Sequence, residues 1–210
     1  EKYIALVKAV ERVATYHDGG LVRRTWNNVS GGNIAALEGF MADTKYVKNN
    51  YDAVKIIESN TKYSEEVGNG HVTSHVGYIR APKTGKYTFR IQGSDDAVRL
   101  DIDEEKVAYF DGYNGNINQT DVNNSAVCEI DMVAGKRVPI DIMYKENTGG
   151  DLAWIQWKGP GISDSFVEIA PKYLSCSEEY LKDDDIDLLD GIQGVYPEIF
   201  LTVNELGTVT

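Results

Sequence analysis

The chain has 210 residues, 42% hydrophobic and 26% charged, and 21 Lys and Arg against 33 Asp and Glu leave a net charge of -12. That length can bury a core of its own, and the even spread of aromatic and aliphatic residues over positions 20 to 175 indicates one domain with extensions. An acidic chain without clustered Lys and Arg argues against nucleic-acid binding through phosphates and suits cations or neutral ligands, and no run approaches the roughly 20 apolar residues that span a bilayer.

Tyr3, Leu6, Val7, Val10 and Val13 recur at helical spacing and stop before Gly19-Gly20, which predicts a short amphipathic N-terminal helix, although their β-branched content leaves a strand open. Leu21 to Trp26 reads as a strand, followed by the breaker cluster Asn27 to Gly32 and a mixture of short helical pattern and polar loop from Asn33 to Ser64. His71 and His75 share one strand face but lack a third ligand for a metal. Gly77 to Arg80 is a strand, and Ala81 to Lys86 carries the proline and glycine of a tight turn. Tyr87, Phe89 and Ile91 then alternate with Thr88, Arg90 and Gln92, and Val98, Leu100 and Ile102 repeat the pattern after Gly93-Ser94-Asp95-Asp96. The spacing predicts an antiparallel pair with one face buried and an acidic doublet at its junction.

Glu104 to Ala126 is rich in Asn, Gly and Asp and predicts a long surface excursion carrying Tyr109, Phe110 and Tyr113. Cys128 to Met132 and Val138 to Tyr144 are strands around the turn Ala134-Gly135-Lys136, and Pro139 places the second at an edge or a bulge. Lys145 to Asp151 is a polar, glycine-bearing loop, and Leu152 to Trp157 returns as a strand, which predicts a second hairpin. Cys128 and Cys176 are open to either a bridge or two thiols. Asn28, Asn118 and Asn123 begin glycosylation acceptor patterns, in keeping with a secreted glycoprotein. Glu178 to Asp190 is strongly acidic, and Gly191 to Thr210 is apolar enough to dock on this domain or a following one. The absence of an initial methionine and a strand-like C-terminus suggest a piece of a longer protein.

Many short strands with turns between them indicate an all-β fold, an antiparallel β-sandwich with a short N-terminal helix and long surface loops. The expected organisation is an N-terminal extension over residues 1–20, the sandwich over 21–175 and an acidic C-terminal extension over 176–210 leading towards a following domain.

Calcium takes six to eight oxygen ligands from carboxylates, carbonyls and water. Asp95 and Asp96 can supply two of them; an Asx-turn with solvated charges is the other reading of the pair. Asp101 to Gly112 fails as an EF-hand, with Lys106 at its sixth position and Gly112 at its twelfth. Nucleophile elbow, phosphate loop and zinc protease helix are all missing from the sequence, so no catalysis is expected. Ala153, Ile155 and Trp157 should face inward and leave Trp154 outward, either to stack on a sugar or to pack under the Asn-rich excursion or the C-terminal tail.

From Leu21 to Gly161 the chain resembles the protective-antigen fourteen domain, a β-sandwich of adhesins, yeast flocculins, glycosidases and toxins. The resemblance rests on several motifs agreeing in order and spacing. They are Gly77-Tyr78-Ile79, Thr84-Gly85-Lys86-Tyr87-Thr88-Phe89, Ser94-Asp95-Asp96 with Val98-Arg99-Leu100, Ala134-Gly135-Lys136, Tyr144-Lys145-Glu146, Gly149-Gly150-Asp151 and Trp157-Lys158-Gly159-Pro160-Gly161. Lectin members of that family bind calcium through an aspartate doublet with a cis peptide, and the ion then takes sugar hydroxyls directly.

The resemblance implies Ca2+ on Asp95 and Asp96, with Asn147 or Glu146 contributing a side chain and Gly149 and Asp151 their backbones. Trp154, Tyr113, Asn114 and Asn116 are the candidate glycan contacts. The second loop reads Glu146-Asn147-Thr148-Gly149-Gly150-Asp151 where many relatives have a nearly continuous glycine run, which leaves its side-chain ligand open. The expected function is a calcium-dependent, non-catalytic lectin-like adhesion module at the cell surface or outside the cell, binding glycan and contacting neighbouring domains or subunits. The alternative is a structural domain of an extracellular assembly in which calcium only rigidifies the loops.

Overall fold

The computed structural model describes residues 10–59, 61–64, 67–189 and 195–201. In chain order the elements are β1 (Val10–Asp18), β2 (Leu21–Asn27), α1 (Ile34–Met41), α2 (Thr44–Val47), β3 (Ala53–Ile57), β4 (Lys62–Tyr63), β5 (His71–Arg80) and β6 (Gly85–Asp95). They continue with β7 (Ala97–Ile102), β8 (Glu105–Asp111), β9 (Val127–Met132), β10 (Arg137–Glu146), β11 (Leu152–Gly159), β12 (Ser163–Glu168), β13 (Leu174–Ser177) and β14 (Val195–Leu201). Among the described residues these strands form two antiparallel sheets. The larger runs β14-β1-β13-β5-β10-β7-β8, with β2 on β5 and β3 on β2; the smaller runs β12-β11-β6-β9, with β4 on β11.

The alternation read in β6 is what packs the sandwich. Tyr87, Phe89 and Ile91 are fully buried, as are Ala153, Ile155 and Trp157 of β11 and Leu100, Ile140 and Ile142 from the larger sheet. Trp157 stacks on Tyr87 with ring centroids 5.3 Å apart. On the outer face of the larger sheet, α1 starts at Asn33, whose side chain accepts the Ala36 N–H at 2.8 Å. The helix presses Leu37 and Phe40 onto Trp26, Val72 and Met143.

β5 organises the larger sheet, because one of its edges is shared between two partners. Val22 to Asn27 pair with its first half, and Leu174 and Ser175 pair with Ile79 and Tyr78 beyond. Gly77 sits where the partner changes, and a Cβ there would collide with the Ser175 carbonyl. Two further segments join the same sheet. Leu181 and Leu189 are buried against Val22, Val76 and Cys176, Tyr51 donates its hydroxyl to Asp185 at 2.5 Å, and β14 pairs with β1.

Several expectations are corrected. Val10–Asp18 is a strand where a helix was predicted, its β-branched residues being held by β14 and β13; Tyr3, Leu6 and Val7 lie outside the described residues. β6 and β7 belong to different sheets, as do β10 and β11, so neither pair is a hairpin; each connection crosses from one sheet to the other. Period-two alternation identifies a buried face but is the same for a hairpin partner and for a strand in the opposing sheet.

Pro139 lies inside β10, which is central between β5 and β7. The ladder to β7 begins only at Ile140 opposite Ile102, and the Pro139 carbonyl accepts the Asp103 N–H at 2.9 Å, so the missing donor faces the turn beyond β7. The predicted excursion is shorter than expected, since Glu105–Asp111 is β8, paired with β7. Cys128 and Cys176 are both free thiols, one in each sheet.

Candidate metal centre and ligand surface

The two crossovers lie side by side because their flanking strands pair in both sheets. Leu152 stands opposite Asp95 in the smaller sheet, and Lys145 opposite Ala97 in the larger. The chain leaves β6 at Asp95 and enters β7 at Ala97, and the Asp95–Asp96 peptide between them is cis. Asp96 is held on three sides. Its N–H donates to the Lys145 carbonyl at 2.9 Å, its carbonyl accepts the Gly112 N–H at 2.6 Å, and its carboxylate accepts the Asn147 N–H at 2.9 Å. Ser94 and Asn114 exchange backbone hydrogen bonds at 3.0 and 2.9 Å, which fixes the loop after β8 against the doublet.

One ligand atom from each of Asp95, Asp96 and Glu146 lies within 4.8 Å of the others. Glu146, the last residue of β10, is fully buried, and neither of its carboxylate oxygens has a hydrogen-bond partner. The neighbouring Lys145 is also buried, and its ammonium donates to the Glu146 carbonyl oxygen. Burial, followed by repulsion from Asp96, Asp95 and Asp151, pushes the Glu146 carboxyl up to about 7. Burial and then the Asp96 and Asp151 carboxylates raise Asp95 as well. Carboxylates drawn together without a compensating cation are an electrostatic cost to the fold.

The second loop is braced from behind. Gly70 donates to the Asn147 carbonyl at 3.0 Å, the Asn69 side chain accepts the Gly149 N–H at 3.1 Å, and Asp151 accepts the Val67 N–H at 2.5 Å with His71 Nε2 at 3.8 Å. Of the six expected metal residues, Asp95, Asp96 and Glu146 converge by their carboxylates. Asn147 flanks them with its N–H on Asp96 and its carbonyl on Gly70, Gly149 has its N–H on Asn69, and Asp151 turns its side chain towards Val67 and His71.

The candidate glycan contacts separate into free and committed groups. Tyr113 is 74% exposed. The Asn114 side chain accepts the Asn116 N–H at 2.9 Å, and the Asn116 side chain accepts from Gln92 at 2.5 Å, so both shape the loop. Trp154 is partly buried on β11, out of alternation with the fully buried Ala153, Ile155 and Trp157. Lys62 of β4 covers it, with Nζ 4.0 Å from the ring centroid.

Sequence reasoning missed the wall formed by the loop after β2. A Cβ on Gly32 would stand 2.8 Å from both Asp96 Oδ2 and the Asn147 Cβ, so the loop backbone closes directly onto the two crossovers. The Ile34 N–H donates to Asp111 at 2.9 Å and ties the start of α1 to the end of β8. Gly31-Gly32 ahead of the capping Asn33 is the available signal, and within the cluster Asn27 to Gly32 it is indistinguishable from an ordinary breaker.

The PA14 domain family model matches residues 20–168, and the chain belongs to that family. Its fold is similar to the PA14 sugar-binding domain from an RTX adhesin, at 17% identity and TM-score 0.57, covering 76% of this chain and 99% of that one. It is also similar to the epithelial adhesin 9 A domain of Candida glabrata, solved in complex with Galβ1-4GlcNAc, at 14% identity and TM-score 0.56, covering 75% and 89%. The PA14 domain of the antifreeze protein MpAFP aligns at 17% identity and TM-score 0.57, covering 79% and 92%. No curated protein sequence gives a significant match. Among the described residues no helix is long and apolar enough to cross a membrane.

Proposed function

We propose that this domain is a calcium-dependent, non-catalytic carbohydrate-binding module of an adhesin-type protein outside the cell or at its surface. The observation that carries the reading is the buried Glu146 carboxylate, without a hydrogen-bond partner and gathered with Asp95 and Asp96. A buried carboxylate is ordinarily paired or metal-bound. The donor set fits the ion, since all three groups offer hard, anionic oxygens, and calcium accepts such ligands in flexible geometry.

Asp95, Asp96 and Glu146 would hold the cation, with remaining positions open to backbone carbonyls of the second loop and to solvent. When bound, calcium supplies coordination positions that sugar hydroxyls can occupy. Around it the chain's own residues would define the ligand surface: the Gly32 loop forms one wall, the Asn114 loop another, and exposed Tyr113 offers a ring for a sugar face. Solved relatives bear on the ligand class, because epithelial adhesin A domains are described in complex with β-lactose and Galβ1-3GlcNAc.

Extracellular calcium modules commonly have dissociation constants of about 10⁻⁴ to 10⁻³ M, and a millimolar sugar contact is worth only about 4 kcal/mol. Adhesion would then need several copies acting together. Calorimetry with calcium, followed by a glycan array with and without chelator, tests the proposal. Chelator-sensitive glycan binding is expected. Calcium binding with no glycan response would overturn the lectin reading in favour of a structural domain rigidified by the ion.

A further inference from the structure

We infer that the third carboxylate sets the charge selectivity of this site, so that neutral and amino-bearing sugars bind at the ion and acidic sugars are rejected. The inference rests on the calcium reading above and extends it to the class of glycan.

Two aspartates would neutralise a divalent ion. Here a third carboxylate, that of Glu146, is fully buried, lacks any hydrogen-bond partner and lies with the other two. Asp151, at 5% exposure, adds a fourth negative group close enough to perturb both Asp95 and Glu146. The cation built into the cluster is Lys145, whose ammonium is buried and directed at the Glu146 carbonyl. Among the groups that bear on the Glu146 carboxyl, four carboxylates, its own included, against one ammonium and one divalent ion leave a negative charge in excess; the buried Arg23 is bound to the Tyr144 hydroxyl at 3.3 Å and acts on Tyr144 and His71. Asp111, exposed at the end of β8 opposite Ala97, extends the same sign towards solvent.

Arg99 does not offset this, being bound through two nitrogens to Asp101 at 2.6 and 2.7 Å, with Glu38 beside it. A ligand anion at the metal would therefore meet like charges at short range in a partly desolvated site, where Coulomb repulsion is poorly screened. The net charge of -12 on the whole chain adds a weaker, salt-sensitive repulsion of the same sign.

The test compares galactose, 6-amino-6-deoxygalactose and galacturonate, which differ at one carbon and in charge. Each is titrated into the whole chain at saturating calcium and low ionic strength. Galacturonate is expected to bind about ten-fold or more weaker than galactose, with the amino sugar at least equal to galactose. Glu146→Gln keeps the shape and removes the charge, and should shrink that discrimination several-fold.

A second readout does not depend on sugar. Terbium, which is trivalent, should be preferred over calcium by the wild type more strongly than by Glu146→Gln, measured by competition. Failure of the wild type to bind calcium or terbium would remove the underlying calcium reading and this inference with it. Ion and galactose binding with equal or tighter galacturonate binding overturns the inference alone. So does an unchanged discrimination in a folded Glu146→Gln chain, whereas binding of none of the three sugars by the calcium-loaded protein overturns the inference together with the lectin reading it rests on.

Discussion

Asp96 accepts the Asn147 backbone N–H at 2.9 Å, and this bond ties the β6–β7 crossover to the β10–β11 crossover. Its partners come from connections 51 residues apart. The pairing of β6 with β11 and of β7 with β10 delivers them to the same end of the sandwich. The proposed ion would sit on that seam, so ion binding and the mutual stability of the two connections should be linked.

Replacing Asp95→Asn together with Asp96→Asn is expected to weaken calcium binding by more than about 100-fold, because two of the three anionic ligands are lost. In wild type, calcium at about 100 times its dissociation constant should add about 2.7 kcal/mol of stability. The double variant should gain almost none while remaining folded without the ion. Calorimetry and calcium-dependent melting check both, and unchanged affinity in the variant would rule out this site.

Gly32→Ala should affect the ion site as well as stability. The added methyl would stand 2.8 Å from Asp96 Oδ2 and from the Asn147 Cβ, and one of these groups must move. A loss of about 1–3 kcal/mol is expected from overpacking, with weaker calcium binding. Gly39→Ala is the control, since nothing lies within 4 Å of its added carbon. Equal calcium affinity in the Gly32 and Gly39 variants would show that the wall does not reach the site.

Gly77→Ala tests the junction in the larger sheet. Its Cβ would meet the Ser175 carbonyl, so β13 must separate from β5 or β5 must bend. The expected cost is about 1–3 kcal/mol in denaturant unfolding, with faster amide exchange in Leu174–Ser177 than in β10. A variant as stable as wild type would show that this junction has slack.

Asp141 gives the pH dependence a definite sign. Its carboxyl accepts from Ser74 at 2.8 and 2.9 Å, yet burial outweighs the opposing effects of nearby Arg24 and of the hydrogen bond, and raises it to about 6. At this carboxyl the folded chain then binds more proton than the unfolded chain between about pH 4 and 6. This group's contribution is fully present below about pH 4 and is lost as pH rises through 6, on the order of 3 kcal/mol in all. Asp141→Asn should flatten that segment of the stability profile, measured by urea unfolding from pH 4 to 8. A parallel profile in the variant would refute the assignment.

Much of this protein could be read from local pattern. Alternation in Tyr87-Phe89-Ile91 and Ala153-Ile155-Trp157 identified residues that are fully buried, because a strand's two faces follow directly from its backbone pleat. The same pattern leaves Trp154 out of the buried set, and the order and spacing of several motifs resemble those of the family. The helix expected over Tyr3 to Val13 gives way to a strand in its described part because β-branched residues suit an extended backbone and pairing with β14 selects it. Pro139 was misplaced because a missing N–H matters only if an acceptor stands opposite it.

The doublet shows where the boundary between sequence and fold lies. Residue chemistry left Asp95-Asp96 open to a metal or to an Asx-turn and marked Lys145 to Asp151 as a polar loop, since side-chain type and turn composition are local properties; the family resemblance supplied the candidate ligand set. The convergence of these groups is not a local property. It depends on which strands share a sheet, and on Glu146 being buried without a partner while Asn147 is committed through its backbone. The Gly32 wall and the Lys62 cover on Trp154 are likewise contacts across the chain. Such relations arise from packing two sheets face to face, a long-range balance that no window of neighbouring residues encodes.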